Sequence, residues 1–364
     1  MTAPTNQRLD GLDLARFLAL GGMMLVNFRL AMHPPKGSPW LEAFFHFFEG
    51  KASATFVSLA GLGLVLATRS KKTWEAYGWV TRRALFLLVA GMLNLLVFPA
   101  DIIHYYAAYF LLALPWLKAG RTAMAAGIVA VAAVSTYLLL TFDYGEGWNW
   151  NTLTYDSLWA LEGSVRNLLF NGFHPVLPWL AFFLTGMLMA RLPLQLARVH
   201  RGMVFTGILL CLFAELVSHL GRHSPIAWTL NTSPMPPGIA YLLTGIGSAS
   251  IVIGSCLLIS SNRAAGPWRF VLPAGRMTLT LYLAHILVGM GTLEAVGALD
   301  GTRSLAATAA VSMGFLAAST LAARLWSLKF SQGPVESLMR FVTRSRGAPT
   351  KQTAGNYNKE NPDE

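Results

Sequence analysis

Residues 237–260, "PGIAYLLTGIGSASIVIGSCLLIS", form an uncharged and mostly apolar run that decides the fold class. A hydrocarbon core of roughly 30 Å is crossed by about 20 residues of α-helix, so this run is long enough to span a membrane. A transmembrane β-strand would instead alternate apolar and polar side chains over about 10 positions. The run is continuous and therefore predicts a membrane-spanning helix.

The whole chain has the same character, because 54% of its 364 residues are hydrophobic and only 12% are charged. Soluble domains usually carry about 25% charged residues. We therefore predict an all-α integral membrane protein with about ten transmembrane helices. The candidate spans are residues 12–32, 46–68, 79–98, 102–118, 122–142, 174–190, 202–220, 237–260, 270–290 and 304–327.

The first apolar run is expected to remain on the protein as its first helix. It contains Asp13 and Arg16, has full transmembrane length and is followed by no A-x-A cleavage site. The two cysteines, Cys211 and Cys256, both fall within predicted spans. Their spacing predicts neither a disulfide framework nor a metal site, and no metal is expected.

Basic residues predict the orientation of the helices. With the N-terminus in the cytoplasm, the outer segments carry few of them, at Arg29, Lys36, Arg166, Arg222 and Arg303. The inner segments carry many more, including Arg69, Lys71, Lys72, Arg82, Arg83, Lys118, Arg121, Arg191, Arg198 and Arg201. This bias follows the positive-inside rule and places both termini in the cytoplasm. The formal charge of +11 is thereby explained by topology and by anionic inner-leaflet lipids, and nucleic acid is not an expected partner.

Residues 1–341 are predicted to form a single multi-pass domain, and the polar residues 342–364 a disordered cytoplasmic tail. The longest outer segment, 143–173, has apolar residues at helical spacing, which predicts an interfacial helix over 153–170 on the outer surface. Three tryptophans of this segment are typical either of headgroup anchors or of residues lining an acceptor cleft: Trp148, Trp150 and Trp159.

Three histidines, His33, His104 and His174, fall at outer ends of predicted spans beside other polar groups. Asp101 precedes His104 by three residues. Ionisable groups at membrane depth usually face a bundle interior or a water cavity. A neutral imidazole can act as a general base near pH 7, whereas the alternative is a ring bonded to a carbonyl at a helix end. We predict a histidine cluster that opens outward.

Arginines at inner depth are the second candidate group. Asp13 and Arg16 are three residues apart and can pair on one helix face. Arg276 lies toward the inner end of the ninth span, where it either extends to the headgroups or clamps a phosphate. Arg82 and Arg83 could share that task. These residues leave open a transporter, a channel or an enzyme that acts across the membrane.

Several motifs resemble those of the heparan-alpha-glucosaminide N-acetyltransferase family and its bacterial YeiB-type relatives. The resemblance covers roughly residues 8–341. The motifs are "RLDGLDLARFLALGGMMLVNF" at 8–28, "FFEGKASATFVSLAGLGL" at 47–64, "PADIIHYYAAYFLLAL" at 99–114, "NGFHPVLPWLAFFLTGM" at 171–187, "GRMTLTLYLAH" at 275–285 and "FSQGPVESLMR" at 330–340.

The resemblance implies a multi-pass acyltransferase of a bacterial inner membrane. It would take an acetyl or other acyl group from cytosolic acyl-CoA, and the family is compatible with a homodimer. The acceptor would be an extracytoplasmic hydroxyl or amine of a glycan or small molecule, and it would enter beside His174. Asn27 matches the family's asparagine at the end of the first helix, whereas His33 lies in the right loop but not at the family's position before a tryptophan. The predicted catalytic residues are Asn27, His33, Asp101, His104 and His174, and the predicted donor-binding residues are Arg16, Arg82, Arg83 and Arg276.

Asn27 can either orient the histidine or donate to the thioester oxyanion. Direct transfer and a covalent acyl-histidine are both compatible with these residues. Two other functions remain. A transporter of a small anionic or acylated solute predicts inverted repeats, and a non-catalytic membrane partner predicts that the histidines and arginines are dispensable.

Overall fold

The computed structural model of the chain describes residues 9–150, 152–261 and 266–344. Most of these residues are helical. The helices are α1 (Asp10–Met32), α2 (Pro39–Phe48), α3 (Lys51–Thr68), α4 (Thr73–Leu95), α5 (Ile103–Leu112), α6 (Arg121–Thr141), α7 (Leu161–Arg166), α8 (Val176–Met189), α9 (Ala197–Gly221), α10 (Ala227–Leu230), α11 (Ile239–Ser261), α12 (Leu272–Arg276), α13 (Thr278–Ala284), α14 (Gly291–Ala295), α15 (Leu305–Trp326) and α16 (Pro334–Thr343). A two-stranded antiparallel hairpin pairs β1 (Trp148–Asn149) with β2 (Thr154–Tyr155).

Seven helical segments of the described chain are long and apolar enough to cross a membrane, and a bent pair makes an eighth candidate. The seven are Asp10–Met32, Pro39–Thr68, Arg121–Thr141, Ala197–Gly221, Ile239–Ser261, Thr278–Ala295 and Leu305–Trp326. The bent pair joins Leu161–Asn171 to Val176–Met189 at 48°. The protein is therefore an all-α, multi-pass membrane protein.

Two spans that the sequence predicts are not among these candidate spans of the structure. The span at 79–98 corresponds to α4, which has 23 residues but carries Arg82 and Arg83. The span at 102–118 contains only ten residues of α-helix, because α5 is followed at Leu114–Trp116 by a 3-10 turn that contains a proline. Both segments are helical, and α5 packs along α4 inside the bundle.

The outer segment corrects the prediction of one helix over 153–170. Strand Trp148–Asn149 pairs with Thr154–Tyr155 instead, and α7 begins only at Leu161 before a π-helical turn at Asn167–Asn171. Leu153 and Ser157 adopt positive φ angles, which a helix does not accommodate. The hairpin is tied back onto the bundle, since Trp148 Nε1 donates to the Asn171 carbonyl at 2.6 Å.

Helices α1, α3, α8 and α11 form the centre of the bundle, whereas α6, α9 and α15 lie outside it. The outer helices expose large apolar side chains, such as Phe205 and Leu212 of α9. A soluble monomer rarely exposes a continuous apolar face of this kind, so these faces are suited to lipid. The predicted tail boundary at 342 falls inside α16, which ends at Thr343, and the rest of that prediction lies outside the described residues.

Candidate functional site

A buried carboxylate–imidazole pair lies where α5 begins. Asp101 is 0% exposed, and its Oδ2 lies 2.8 Å from His104 Nδ1. The same oxygen accepts a hydrogen bond from the backbone N–H of His104 at 3.0 Å, while Oδ1 accepts from Asn94 Nδ2 at 2.7 Å. Three donors therefore fix the carboxylate, and the carboxylate in turn fixes the histidine ring.

The position of this pair depends on a close crossing of α4 and α5. A Cβ added to Gly91 would lie 2.2 Å from the backbone nitrogen of His104. Only glycine allows the two backbones to approach this closely. The Gly91 contact therefore sets the depth at which His104 is held in the bundle.

His174 lies near the pair without bonding to it. The His104 ring packs at 3.9 Å from the Tyr105 ring, and the His174 ring lies 5.9 Å from the same tyrosine. The Tyr109 hydroxyl donates to the His174 carbonyl at 2.6 Å. Within the described residues, the buried Nδ1 of His174 has no hydrogen-bond partner. Tyr105 thus connects two of the predicted histidines.

A second buried histidine, His285, pairs with Asn27 where the π-helical turn at His285–Met290 meets α1. Asn27 Nδ2 lies 3.1 Å from His285 Nε2, and His285 Nδ1 contacts the Tyr282 carbonyl. Tyr282 also lies next to the Asp101–His104 pair. Its hydroxyl accepts a hydrogen bond from the backbone N–H of Ile102, the residue after Asp101, at 3.3 Å. Sequence analysis identified Asn27 but not His285 or Tyr282, although both lie in the "GRMTLTLYLAH" motif.

A cavity of about 270 Å³ opens at the end of the bundle where α1 begins, and we call it the arginine cavity. Arg16, Arg83 and Arg276 line it, together with Trp79 and Glu336. Its deep wall is formed by Phe56, Leu87, Ile102, Tyr106 and Tyr282. The cavity therefore runs from a charged mouth toward the residue that follows Asp101.

Two of the three arginines are already neutralised. Arg16 Nη1 bonds the buried Asp13 Oδ1 at 2.7 Å, so the predicted pair is confirmed. Arg276 Nε contacts Asp13 Oδ2 at 3.1 Å, and its Nη2 lies 3.5 Å from Asp10 Oδ1. A Cβ on Gly275 would lie 1.9 Å from the Asp13 carbonyl oxygen, which shows how closely α12 approaches α1. These four charged groups hold α1 and α12 together.

Arg83 differs from them because aromatic rings surround it. Its guanidinium carbon lies 5.4 Å from the centre of the Trp79 ring and 5.3 Å from that of Phe110. Its buried Nε has no hydrogen-bond partner within the described chain. The neighbouring Arg82 does not line the cavity, and its Nε donates to the Thr343 carbonyl at 3.4 Å. Of the three arginines that line the cavity, Arg83 is the one that forms no ion pair with a carboxylate of the described residues.

Glu336 of α16 was not identified from the sequence as a site residue, although it lies in the closing motif. Its Oε1 accepts from the backbone N–H groups of Leu279 at 2.7 Å and Thr280 at 3.1 Å, and its Oε2 accepts from the Thr280 hydroxyl. A carboxylate at a helix N-terminus satisfies unpaired donors there. Glu336 therefore attaches α16 to α13 at the mouth of the arginine cavity.

A second cavity, of about 250 Å³, lies beside the end of α1, and we call it the His33 cavity. His33 ends α1 with φ 44°, is exposed, and has Nδ1 at 3.2 Å from the Ala31 carbonyl. The cavity is otherwise mostly apolar, with Glu294 as its acidic residue. The structure thus places His33 apart from the other predicted histidines.

The two cavities approach one layer of the bundle from opposite directions. Ile102 and Tyr282 line the arginine cavity, whereas Ala100 and Ile286 line the His33 cavity. The buried residues Asp101 and His285 fall between these neighbours in the chain. One layer of the bundle holds the Asp101–His104 pair and the Asn27–His285 pair. This layer therefore separates the arginine cavity from the mostly apolar His33 cavity. Asp101, His104 and His285 are themselves buried, and the residues that line the two cavities are their neighbours in the chain.

Two family models match the chain. One is described as heparan-alpha-glucosaminide N-acetyltransferase, catalytic, and it matches residues 8–233. The other is described as a protein of unknown function (DUF418), and it matches residues 189–346. No curated protein matches the sequence. The first match contains Asp101 and His104, and the second contains His285 and Glu336.

Proposed function

The chain belongs to the family that the heparan-alpha-glucosaminide N-acetyltransferase catalytic model describes, as its motifs predicted, and on that premise we propose that it moves an acyl group across a membrane. The donor is acetyl-CoA or a longer acyl-CoA in the cytosol. The acceptor is a hydroxyl or amine of a glycan or small molecule on the other side. The protein resides in a bacterial inner membrane.

The observation that carries the proposal is the Asp101–His104 pair in the layer between the two cavities. With Nδ1–H donating to Asp101, the Nε2 lone pair of His104 is the site for a proton. In this proposal Nε2 takes the proton of the acceptor as its oxygen or nitrogen attacks the thioester carbonyl. The C–S bond then breaks, and the CoA thiolate leaves and takes that proton from His104 Nε2. Asp101 orients the ring and stabilises its charged form.

The donor occupies the arginine cavity. Of its cations, Arg83 packs against aromatic rings and forms no ion pair with a described carboxylate, and a guanidinium suits a carbonyl or phosphate oxygen. The deep wall at Ile102 brings a bound thioester toward His104. Asn27 and His285 lie in the same layer, and the Asn27 amide is suited to stabilise the negative charge that forms on the thioester carbonyl oxygen.

The acceptor occupies the His33 cavity and reaches His104 past Phe173, which lines that cavity next to His174. We propose ten crossings, with α4 and α5 as the third and fourth, and both termini in the cytoplasm. Support comes from the turns at the end where α1 begins, which carry Arg69, Lys71, Lys118, Arg121 and Arg191. The arginine cavity then faces the cytosol, where acyl-CoA is found.

The experiment uses purified protein in detergent with acetyl-CoA and a series of longer acyl-CoAs. Binding is followed as thermal stabilisation, and transfer as free CoA released in the presence of amino sugars and alcohols. We expect His104→Gln and Asp101→Asn to bind the donor but to lose CoA release. His223→Gln is the matched control, because His223 is exposed and outside both cavities. If no acyl-CoA stabilises the wild-type protein up to millimolar concentration, the enzyme proposal fails and transport becomes the function to test.

A further inference from the structure

A groove of about 490 Å³ lies outside the site described above, and we call it the basic groove. It lies where the α3–α4 turn, the turn before α6 and the segment after α8 meet. Five basic side chains line it, Arg69, Lys71, Lys118, Arg121 and Arg191, and no acidic residue of the described chain does. The positive-inside rule explains basic residues at this end of the bundle. It does not explain why five of them converge on one groove without an acid.

Two of the five cations hold the groove together. Arg191 Nη2 donates to the carbonyls of Trp116 at 3.1 Å and Leu117 at 3.0 Å. Arg121 Nη2 donates to the Arg191 carbonyl at 2.7 Å. Partial burial lowers the pKa of the Arg191 guanidinium, so an anion beside it would stabilise its charged form. These backbone contacts fix the groove walls but leave their positive charge unbalanced.

The other three cations, Arg69, Lys71 and Lys118, form no ion pair with any described residue. Lys71 also connects the basic groove to the arginine cavity. Its Nζ lies 6.0 Å from the centre of the Trp79 ring, and Trp79 lines the arginine cavity. The two spaces therefore adjoin at one aromatic residue.

We propose that the basic groove binds the phosphate groups of an anionic ligand. Lysine ammonium and arginine guanidinium groups both bind phosphate oxygens through charge-assisted hydrogen bonds. Two sources supply such a group at this end of the bundle. One is the nucleotide end of the acyl-CoA donor, with its acyl end passing Trp79 into the arginine cavity, and this source rests on the proposed function. The other is the headgroup of an anionic phospholipid, which does not.

The test compares two triple variants in lipid-depleted detergent solution. The groove variant is Arg69→Gln, Lys71→Gln, Lys118→Gln. The control is Arg198→Gln, Arg201→Gln, Lys329→Gln, which removes three positive charges outside the groove lining. The soluble probe is adenosine 3′,5′-bisphosphate. The lipid probe is phosphatidylglycerol added to the same detergent solution, with phosphatidylcholine as the neutral reference.

We expect the groove variant to lose affinity for one probe by about tenfold or more, as the loss of charge-assisted hydrogen bonds implies. Loss for the nucleotide assigns the site to the donor, and loss for phosphatidylglycerol assigns it to lipid. A Lys71→Arg, Lys118→Arg variant keeps the charge and should keep the affinity. The proposal is overturned if the wild-type protein binds neither probe, or if groove and control variants bind alike. Because Asp101→Asn leaves the groove intact, its binding curve separates this failure from a failure of acyl transfer.

Discussion

Asn27 and His285 are 258 residues apart in the chain, yet the Asn27 amide nitrogen lies 3.1 Å from Nε2 of the buried imidazole. This contact fixes the ring, because the opposite nitrogen contacts the Tyr282 carbonyl. A neutral imidazole satisfies both contacts, with Nδ1 as donor and Nε2 as acceptor. The first long helix is thereby joined to the segment that also lines the His33 cavity.

Replacing Asn27 with alanine should therefore leave His285 Nε2 buried without a donor. The loss of one buried hydrogen bond costs about 1–3 kcal/mol of unfolding free energy. We expect a lower midpoint in thermal unfolding and slower acyl transfer. His285→Gln is the companion variant, and the double variant should cost less than the sum of the single ones, since the two residues share one contact. Additive losses would contradict the pairing.

Asp101→Asn tests the role of the buried carboxylate. The amide keeps the volume but cannot accept both from Asn94 and from the His104 ring with the same strength. We expect the transfer rate to fall about 10²- to 10⁴-fold, as when a general base loses its orienting partner. Acyl-CoA binding measured by thermal stabilisation should persist. Equal losses of acyl-CoA binding and transfer rate would instead indicate that the substitution disrupts the packing around Asp101.

Arg82 and Arg83 are adjacent in the chain and provide a matched pair. Arg83→Gln should raise the KM for acyl-CoA about tenfold or more, because it removes the ring-held guanidinium from the arginine cavity. Arg82→Gln should leave that KM unchanged, since Arg82 contacts the Thr343 carbonyl instead. Steady-state kinetics on both variants suffices. If Arg82→Gln raised the KM and Arg83→Gln did not, the donor would not bind at the part of the arginine cavity that Arg83 lines.

Gly91→Ala should displace α5 from α4, because the new Cβ would meet the His104 backbone nitrogen at 2.2 Å. Overpacking of this kind costs roughly 1–3 kcal/mol, and the shift of His104 should abolish transfer. Gly314→Ala is the control, since nothing lies within 4 Å of its Cβ, and it should be neutral or stabilising. Calorimetry or denaturation of both variants, with a transfer assay, measures the difference. If Gly91→Ala behaves like Gly314→Ala, the crossing does not hold His104 in place.

The sequence predicted what depends on local spacing. Long apolar runs located the helices, and the three-residue separations predicted the confirmed Asp13–Arg16 pair and placed Asp101 beside His104. It did not predict what depends on packing between distant segments. The Asn27–His285 contact and the neutralisation of Arg276 by Asp10 and Asp13 have no local signature. The hairpin at 148–155 was missed because apolar residues at helical spacing also occur in a chain bent by positive φ angles.

The attachment of α16 to α13 has a consequence for biosynthesis. Glu336 supplies the oxygens that complete the first turn of α13, and it also lines the arginine cavity. The ribosome makes this residue after fifteen other helices. A nascent chain that has already inserted those helices still has an open-sided cavity and an uncapped helix. The lining of the arginine cavity is therefore completed only when α16 folds back against α13.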